Sequence, residues 1–191
     1  MFKYVFLGVV LVSMTTMNQL QGPSKPVYEV PMEVSYLQPP PTVEGATRSA
    51  DAVVVGKVES SHPYQPPKSG ATLRTAYQID VLETLKADFR LVPDPVVFRF
   101  GGDRDEGKHI RRSKEVGFPD FKPGKVYVLF LSWNPVLEGF ELKYGPNSTF
   151  ELQSDGTIQS PGRSEFAKSQ VGKPKGTFLT AIRSAAKQGR L

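Results

Sequence analysis

The run Val126-Tyr127-Val128-Leu129-Phe130-Leu131 decides the fold class, since it places six apolar residues in succession. β-Branched and aromatic residues favour strands, and an unbroken apolar run of this length is typical of a strand that is buried on both faces. Turn residues bound the run on either side, at Pro123-Gly124 and at Asn134-Pro135. The chain of 191 residues has 17 Gly and 17 Pro, which favours short strands over long helices and predicts a mainly β protein.

Five further segments repeat this strand signal along the chain. In the clearest, Tyr77, Ile79 and Val81 alternate with polar residues, which places the apolar set on one face of a half-solvated sheet. Leu82 interrupts the alternation and predicts a bulge or the end of the strand. Short strands separated by Gly and Pro turns are typical of an antiparallel sandwich or barrel. The remaining segments are 52–58, 96–100, 140–144 and 150–152.

A helix is predicted on each side of the strand series. Thr42 is a suitable N-cap for a short helix that ends near Ala50, before the first strand of the barrel. Apolar residues at helical spacing predict an amphipathic helix at 177–188, with Thr177 as its N-cap and Gly189 just past its end. Its apolar stripe is short and lacks Trp, which favours packing on the barrel over binding at a membrane surface.

The first 41 residues are expected to lie outside the folded domain. Lys3 and the apolar run after it predict a signal peptide at 1–22, and this run is too short for a transmembrane anchor. The alternative for this stretch is a buried N-terminal strand. Six prolines between Gln21 and Pro41 predict an extended, Pro-rich linker at 23–41. We therefore expect an exported protein, either periplasmic or secreted.

Positive charge is concentrated at the C-terminus of the chain. The net charge is +5, and the segment from Arg163 onward holds seven Lys and Arg residues against Glu165 alone. The first 162 residues are therefore close to neutral, and a basic folded surface of the kind that binds nucleic acid is not expected. The pattern predicts a β-barrel domain at 42–160, followed by a basic tail at 161–191.

The residue types present limit the chemistry that the chain can perform. The chain has no cysteine, which excludes disulfides, cysteine nucleophiles, thiolate metal sites and a lipid anchor on cysteine. Its two histidines, His62 and His109, are far apart in sequence, and no Gly-x-Ser-x-Gly nucleophile elbow is present. The sequence therefore predicts no metal site, no cofactor and no catalytic set of residues.

The segment Gly102-Asp103-Arg104-Asp105-Glu106-Gly107-Lys108 matches the G-x-x-x-x-G-K core of a phosphate-binding loop. His109 stands where Ser or Thr would hold magnesium, and three carboxylates would face phosphates that backbone amides must bind. We therefore expect no nucleotide and interpret the segment as a solvated hairpin loop. An enzyme that uses these carboxylates, in the loop at 101–125, is the alternative.

Basic and aromatic residues are interleaved around the end of this loop. A barrel can stack a base or a sugar on an aromatic side chain while nearby cations contact its polar groups. The alternative for the two phenylalanines is that they flank Pro119 and clamp the loop onto the core. The candidate ligand-binding residues are Arg111, Arg112, Lys114, Phe118 and Phe121.

Four groups of residues, taken in order, carry a family resemblance. They are Ser49–Val58; Tyr77-x-Ile79-x-Val81 with Leu85-Lys86; Phe121-x-Pro123-Gly124-x-x-Tyr127-x-Leu129-Phe130-Leu131; and Tyr144-Gly145 with Phe150-Glu151-Leu152 and Asp155-Gly156. From Val43 to Gly156 the chain resembles bacterial exported proteins of the netrin-module and metalloproteinase-inhibitor type. The resemblance implies a small antiparallel barrel of the oligonucleotide/oligosaccharide-binding (OB) type. The inhibitors chelate zinc through an N-terminal cysteine, which this chain lacks, so that mechanism is not implied.

The export-like start, the strand series and the missing catalytic set together predict an exported, non-catalytic binding module. Its expected ligand is a protein or a cell-envelope polymer. Two alternatives stay open at this stage. One is the enzyme that uses carboxylates of the 101–125 loop, and the other is a binder of anionic polymers that acts through the basic tail.

Overall fold

Strands make up most of the regular structure in the computed structural model of the protein. It describes residues 24–66, 72–88 and 95–189, and the predicted signal peptide at 1–22 lies outside these ranges. The elements are β1 (Val27–Met32), α1 (Val43–Ser49), β2 (Ala52–Tyr64), β3 (Arg74–Ala87), β4 (Val96–Phe100), β5 (Gly102–Asp105), β6 (Ile110–Glu115), β7 (Val126–Asn134), β8 (Gly139–Leu142), a 3-10 turn (Gly145–Ser148), β9 (Thr149–Leu152), β10 (Ile158–Gln159), α2 (Glu165–Gln170) and α3 (Lys175–Gln188).

Seven of the described strands form one large sheet, and five of these close into a ring. The order along the sheet is β10-β9-β7-β2-β3-β4-β8, and β8 also pairs with β7. Neighbours within the ring are antiparallel, except that β4 and β8 run parallel. The prediction of a mainly β fold is therefore confirmed, and the strand predicted at 96–100 matches β4 residue for residue.

Bulges bend the long hairpin that β2 and β3 form. Val55 pairs with Glu83 and Gly56 pairs with Val81, so Leu82 has no partner on β2. This observation confirms a bulge at Leu82, whose side chain is 54% exposed. A bulge raises the local twist of a strand, which helps the hairpin to follow the curvature of the ring. Gly56 permits a close approach at the same point, since a Cβ there would clash with Cγ2 of Ile79.

β7 is buried on both of its faces, as its unbroken apolar sequence predicts. Successive side chains of a strand lie on opposite faces, and here each face meets a different core. Tyr127, Leu129 and Leu131 pack in the inner core among residues of the ring strands. Val128 and Phe130 pack in an outer core, on the other face of the sheet. β7 is therefore the element that joins the two cores.

The outer core lies between the large sheet and the helices. α2 contributes Phe166 and α3 contributes Phe178 and Ile182, each at most 2% exposed, against Phe130 and Phe150 of the sheet. Burial of large side chains of this kind stabilises a fold by about 2 kcal/mol each. The segment predicted as a basic tail, 161–191, therefore contributes both of its helices to the packed core.

The helix boundaries agree with the sequence in one case and differ in the other. Oγ1 of Thr42 accepts a hydrogen bond from the backbone N–H of Gly45 at 3.1 Å, which confirms Thr42 as the N-cap of α1. α3 begins at Lys175 and not at Thr177, because Pro174 already occupies the N-cap position and Lys175 has helical geometry. Among the helices in the described ranges, none has both the length and the apolar character needed to cross a membrane.

The remaining strands form a small sheet with the order β1-β6-β5. β1 runs parallel to β6, from Val27 opposite Ile110 to Met32 opposite Glu115. The segment predicted as a Pro-rich linker, 23–41, therefore includes a paired strand. Pro31 is tolerated there because β1 lies at the edge of its sheet, where a missing N–H breaks no inner ladder.

Candidate binding site

Two cavities meet at Asp120, which lines both of them. The larger, which we call the polar cleft, has a volume of about 400 Å³ and lies between the ring and the small sheet. The smaller, the aromatic pocket, has a volume of about 240 Å³. The polar cleft is lined by Ser61, His62, Pro63, Thr75, Tyr77, Gly102, Asp103, Arg112, Ser113, Lys114 and Asp120. The aromatic pocket is lined by Phe118, Pro119, Asp120, Phe121, Lys122, Tyr127, Thr149, Glu151, Gln159, Ser160 and Pro161.

Two consecutive glycines form the polar cleft, at the point where the chain passes from the ring into the small sheet. Gly101 and Gly102 have φ angles of 96° and 130°, which L side chains rarely adopt. A Cβ on Gly101 would lie 2.6 Å from the carbonyl oxygen of Ser113, and one on Gly102 would lie 2.8 Å from Oγ1 of Thr75. These close approaches bring β5 and β6 against β3, so that side chains of both sheets line one gap.

The three predicted basic residues lie on β6, but the strand divides them between its two faces. Arg112 and Lys114 line the polar cleft. Arg111 lines a different cavity, because successive residues of a strand alternate between faces. The prediction of a basic binding surface at 111–114 therefore corresponds, in the structure, to two separate surfaces.

The cations of the polar cleft are paired with carboxylates. Nε and Nη2 of Arg112 donate to the two carboxylate oxygens of Asp103, each at 2.7 Å. This bidentate pair lowers the pKa of Asp103 and raises that of Arg112. Lys114 lies 3.9 Å from Glu29 of β1. Asp103 and Asp120 balance Arg112 and Lys114 in its lining, so the cleft has no strong net charge.

Phe118 and Phe121 are buried, with exposures of 2% and 4%, and belong to the inner core. The guanidinium carbon of Arg99 lies 3.5 Å from the ring centroid of Phe118 and 4.9 Å from that of Phe121. Both rings also line the aromatic pocket, but Phe118 packs against Arg99 and Phe121, and Phe121 packs in addition against Tyr77 and Tyr127. The phenylalanines therefore shape the pocket wall, which matches the alternative in which they clamp the loop onto the core.

Tyr77 connects the inner core to the polar cleft. Its ring is buried, and its hydroxyl donates a long hydrogen bond of 3.4 Å to Oδ1 of Asp120. Burial raises the pKa of Tyr77 to about 12, so the phenol stays protonated and acts as a donor at neutral pH. His62 lies on β2 and lines the same cleft. Hydroxyl, imidazole and carboxylate groups thus surround one cavity.

The buried cation beneath this site, Arg99, was missed by sequence reasoning. Arg99 is 3% exposed and donates to the carbonyl oxygens of Phe118 at 3.0 Å and Pro119 at 2.8 Å. It therefore fixes the loop that carries Asp120. A signal was present in the sequence, because Arg99 follows Val97 by two residues and so shares its inward face on β4.

Glu115 is the buried carboxylate nearest to this cation. Its Oε2 lies 3.9 Å from Nη2 of Arg99 and accepts a hydrogen bond of 2.9 Å from the hydroxyl of Tyr36. Burial raises the pKa of Glu115, although the hydrogen bond from Tyr36 and the charge of Arg99 act in the opposite direction. Burial also raises the pKa of Tyr36, so Tyr36 remains the donor. These groups tie the segment before α1 to β4 and β6.

The carboxylates of the enzyme alternative are spread over a β-hairpin. The G-x-x-x-x-G-K motif spans β5 and the turn to β6, and the N–H of Gly107 donates to Asp105 within the turn at 2.8 Å. Asp103 lines the polar cleft, whereas Glu106 contacts His109 at 2.9 Å in the exposed turn. In the described ranges, no three His, Asp or Glu residues form a group that could hold a metal ion.

Several basic residues of the C-terminal segment have partners. Arg183 of α3 makes a bidentate pair with Glu83 of β3, with two N–O distances of 2.8 Å, and this pair lowers the pKa of Glu83. Lys168 lies 3.2 Å from Glu165 within α2. One of these pairs therefore joins α3 to the sheet, and the other lies within α2.

Comparisons with known proteins give no family for this chain. No protein-family model matches it, and no curated protein matches it. The resemblance to netrin modules therefore stays a prediction, and the proposals below rest on the residues of the chain itself.

Proposed function

We propose that the protein is an exported, non-catalytic binding module with an OB-like barrel, and that its ligand is a polar polymer of the cell envelope. The observation that carries this proposal is the junction of the polar cleft and the aromatic pocket at Asp120. Two cavities that share a lining residue suit an extended ligand better than a small compact one. Asp120 would lie at the middle of such a ligand.

The lining of the two cavities favours a polyhydroxylated ligand over a polyanion. Hydroxyl, amide and carboxylate groups alternate with aromatic and proline residues, and the cations of the polar cleft are already neutralised by Asp103 and Glu29. A polyanion would have to compete with these carboxylates. A polysaccharide instead exchanges hydrogen bonds with groups of both kinds, and the buried phenylalanines give the aromatic pocket a firm wall beside it.

The ring of five strands supports the OB-like part of the proposal. Barrels of this type are small, are partly closed by a few strands and bind oligosaccharides or oligonucleotides on one face. The two cavities lie together beside the loop that Arg99 holds. Fold alone does not fix function, so the proposal depends on Asp120 and its neighbours.

The test is binding of the purified protein to peptidoglycan sacculi, measured by co-sedimentation, and to soluble envelope polysaccharide in affinity gels. We expect Asp120→Ala to weaken binding about tenfold, as expected for loss of a hydrogen bond to a charged group. Glu33→Ala is the matched control, since Glu33 is an exposed acid that lines neither cavity. Mass spectrometry of the protein recovered from producing cells tests export through the position of its N-terminus.

Three results would contradict the proposal. Equal binding by the wild type and Asp120→Ala would show that the ligand does not bind at Asp120. Detectable turnover of the polymer would show that the protein is an enzyme. Failure to bind any polymer, together with a single cross-linked protein that is lost in Asp120→Ala, would replace the polymer by a protein ligand.

A further inference from the structure

A second surface of the small sheet has an arrangement of charge that the polar cleft lacks. Arg104 of β5 and Arg111 of β6 lie directly opposite each other in the antiparallel register. Residues that face each other across two strands lie on the same side of the sheet. Both arginines are exposed, and neither has an ion pair or a side-chain hydrogen bond to any residue in the described parts of the chain.

The neighbouring pair in the same hairpin shows that this arrangement is unusual. Asp103 lies opposite Arg112, one position away, and these residues form the bidentate ion pair of the polar cleft. Like charges directly opposite each other on two strands are destabilising. On the side of the sheet that faces the polar cleft, the charges are therefore matched. On the opposite side, Arg104 and Arg111 repel each other, and no described carboxylate lies between them.

The two arginines line a third cavity, which has a volume of about 260 Å³. Its lining shares one residue, Ser113, with the lining of the polar cleft. Hydroxyl groups of Thr72 and Ser113 complete its polar part. The rest of its lining is apolar and comes from β1 and from the residue just before β3: Val30, Pro31, Met32 and Leu73. Among the described residues, no carboxylate lines this cavity, whereas the polar cleft and the aromatic pocket each have at least one.

We propose that this cavity binds a phosphate group that carries a short apolar substituent. Two guanidinium groups offer paired N–H donors in planar forks, and such forks match the oxygens of phosphate. A carboxylate has only two oxygens and is saturated by one fork, whereas a phosphate monoester has three terminal oxygens that two forks can share. The bound dianion removes the repulsion between Arg104 and Arg111, and its substituent lies against the apolar wall formed by β1.

The test uses hexyl phosphate as the probe, with inorganic phosphate and hexanoate beside it, titrated into the purified protein by calorimetry at low salt. We expect hexyl phosphate to bind more tightly than either of the others. Arg104→Gln and Arg111→Gln should each weaken binding about tenfold, as expected for loss of charge-assisted hydrogen bonds. Lys108→Gln is the matched control, because it removes the same charge from the turn of the same hairpin but lines no part of the cavity.

Thermal unfolding of each variant shows whether lost binding reflects lost folding. Removal of either arginine relieves the like-charge contact, so we expect an unchanged or higher Tm. Arg111→Lys keeps the charge but not the planar fork, and it should bind with intermediate affinity. A wild type that shows no saturable binding of hexyl phosphate would overturn the proposal, as would equal weakening by Lys108→Gln.

Vesicles separate the two sources of such a phosphate. If the wild type, but not the double variant Arg104→Gln/Arg111→Gln, sediments with phosphatidylglycerol vesicles, the phosphate belongs to a lipid headgroup. If hexyl phosphate binds and the vesicles retain neither protein, the phosphate belongs to a soluble molecule. Either result supports the site, whereas vesicle binding by both proteins in equal measure would exclude a lipid ligand here.

Discussion

The ring and the small sheet are stabilised by different forces. β7 and its neighbours bury apolar side chains on both faces, among them Leu129 and Phe130, which have no exposed surface. Among its described strands, the small sheet has only one buried residue, and that residue is the ionisable Glu115. Its strands are connected by backbone hydrogen bonds and by ion pairs such as Asp103 with Arg112.

This difference separates stability from binding. Apolar burial is the dominant favourable contribution to folding and is not screened by salt, whereas exposed ion pairs contribute little and are screened. The polar cleft lies where the two kinds of structure meet, and Asp120 in its lining belongs to a loop that the ring holds through Arg99. The ring thus supports the site through buried side chains, and the small sheet contributes charged side chains to the lining of the polar cleft.

The largest expected effect is loss of apolar packing outside the ring. Phe178→Ala removes a 2% exposed ring that contacts Phe130 and Phe150, with centroid distances of 6.5 Å and 4.8 Å. We expect a loss of about 3–5 kcal/mol in the free energy of unfolding, measured in urea. Tyr28→Ala in β1 is the matched aromatic control and should cost less than about 1 kcal/mol, because Tyr28 is 58% exposed. Similar losses in both variants would refute the contrast between the two regions.

A slightly smaller effect is expected at the buried cation between the two regions. Arg99→Met keeps most of the volume but removes the charge near Glu115 and both hydrogen bonds to the loop at Phe118 and Pro119. Loss of one member of a buried ion pair costs about 3–5 kcal/mol when the partner is left unpaired. The distance of 3.9 Å from Glu115 places our expectation at the lower end, about 3 kcal/mol.

A double-mutant cycle separates the charge of Arg99 from its packing. Arg99→Met with Glu115→Gln leaves no buried charge uncompensated, so we expect it to recover part of the stability that the single variant loses. No recovery in urea unfolding would show that the loop hydrogen bonds, and not the pair, carry the effect. Binding at Asp120 should weaken in both variants, because both release the loop.

Much of the ring could be predicted from the sequence, because its strands bury apolar side chains and therefore show an apolar pattern. The alternation at Tyr77, Ile79 and Val81 and its break at Leu82 gave both a strand and its bulge. The small sheet could not be predicted in this way. Residues 110–115 read Ile-Arg-Arg-Ser-Lys-Glu, and β1 contains Pro31, so neither segment has the apolar period that marks a strand.

The candidate site was predicted only in part, because the sequence does not show which strand face each residue occupies. Sequence proximity grouped Arg111 with Arg112, but pairing in a sheet places neighbouring residues on opposite faces, and only the structure shows which residue faces the cleft. His62, Tyr77 and Asp120 meet only through the fold, since they come from β2, β3 and a loop. Arg99 had a local signal, because it stands at an inward position of a buried strand.

The next effect is a pH dependence that comes from Glu115. Burial raises its pKa in the folded state, the charge of Asp120 acts in the same direction, and the opposing effects of Tyr36 and Arg99 are outweighed. A group with a raised pKa contributes stability that is fully present below its unfolded pKa and is lost as the pH rises through its folded pKa. We therefore expect Glu115→Gln to flatten the fall in stability above about pH 4, where an unfolded Glu titrates. Urea unfolding at several pH values measures this, and an unchanged slope would contradict it.

The smallest expected effect is at the ion pair of the polar cleft, and its sign with pH is opposite. Arg112 lowers the pKa of Asp103, so this pair contributes stability above the unfolded pKa of Asp103 and loses it as the pH falls through the folded value. Both side chains are about a third exposed or more, so solvent screens the pair. We expect Asp103→Asn to cost about 0.2–1 kcal/mol at low salt.

Glu83→Gln is the matched control for this last variant, since Glu83 makes a bidentate pair of similar geometry and exposure with Arg183 of α3. Loss of the Glu83 pair leaves α3 docked through Phe178 and Ile182, whereas the described strands of the small sheet have no buried apolar residue. Amide hydrogen exchange should therefore accelerate in β5 and β6 for Asp103→Asn, and stay close to the wild type in α3 for Glu83→Gln. Equal acceleration in both elements would mean that ion pairs hold the ring and the small sheet to the same degree, and the distinction between the two regions would fail.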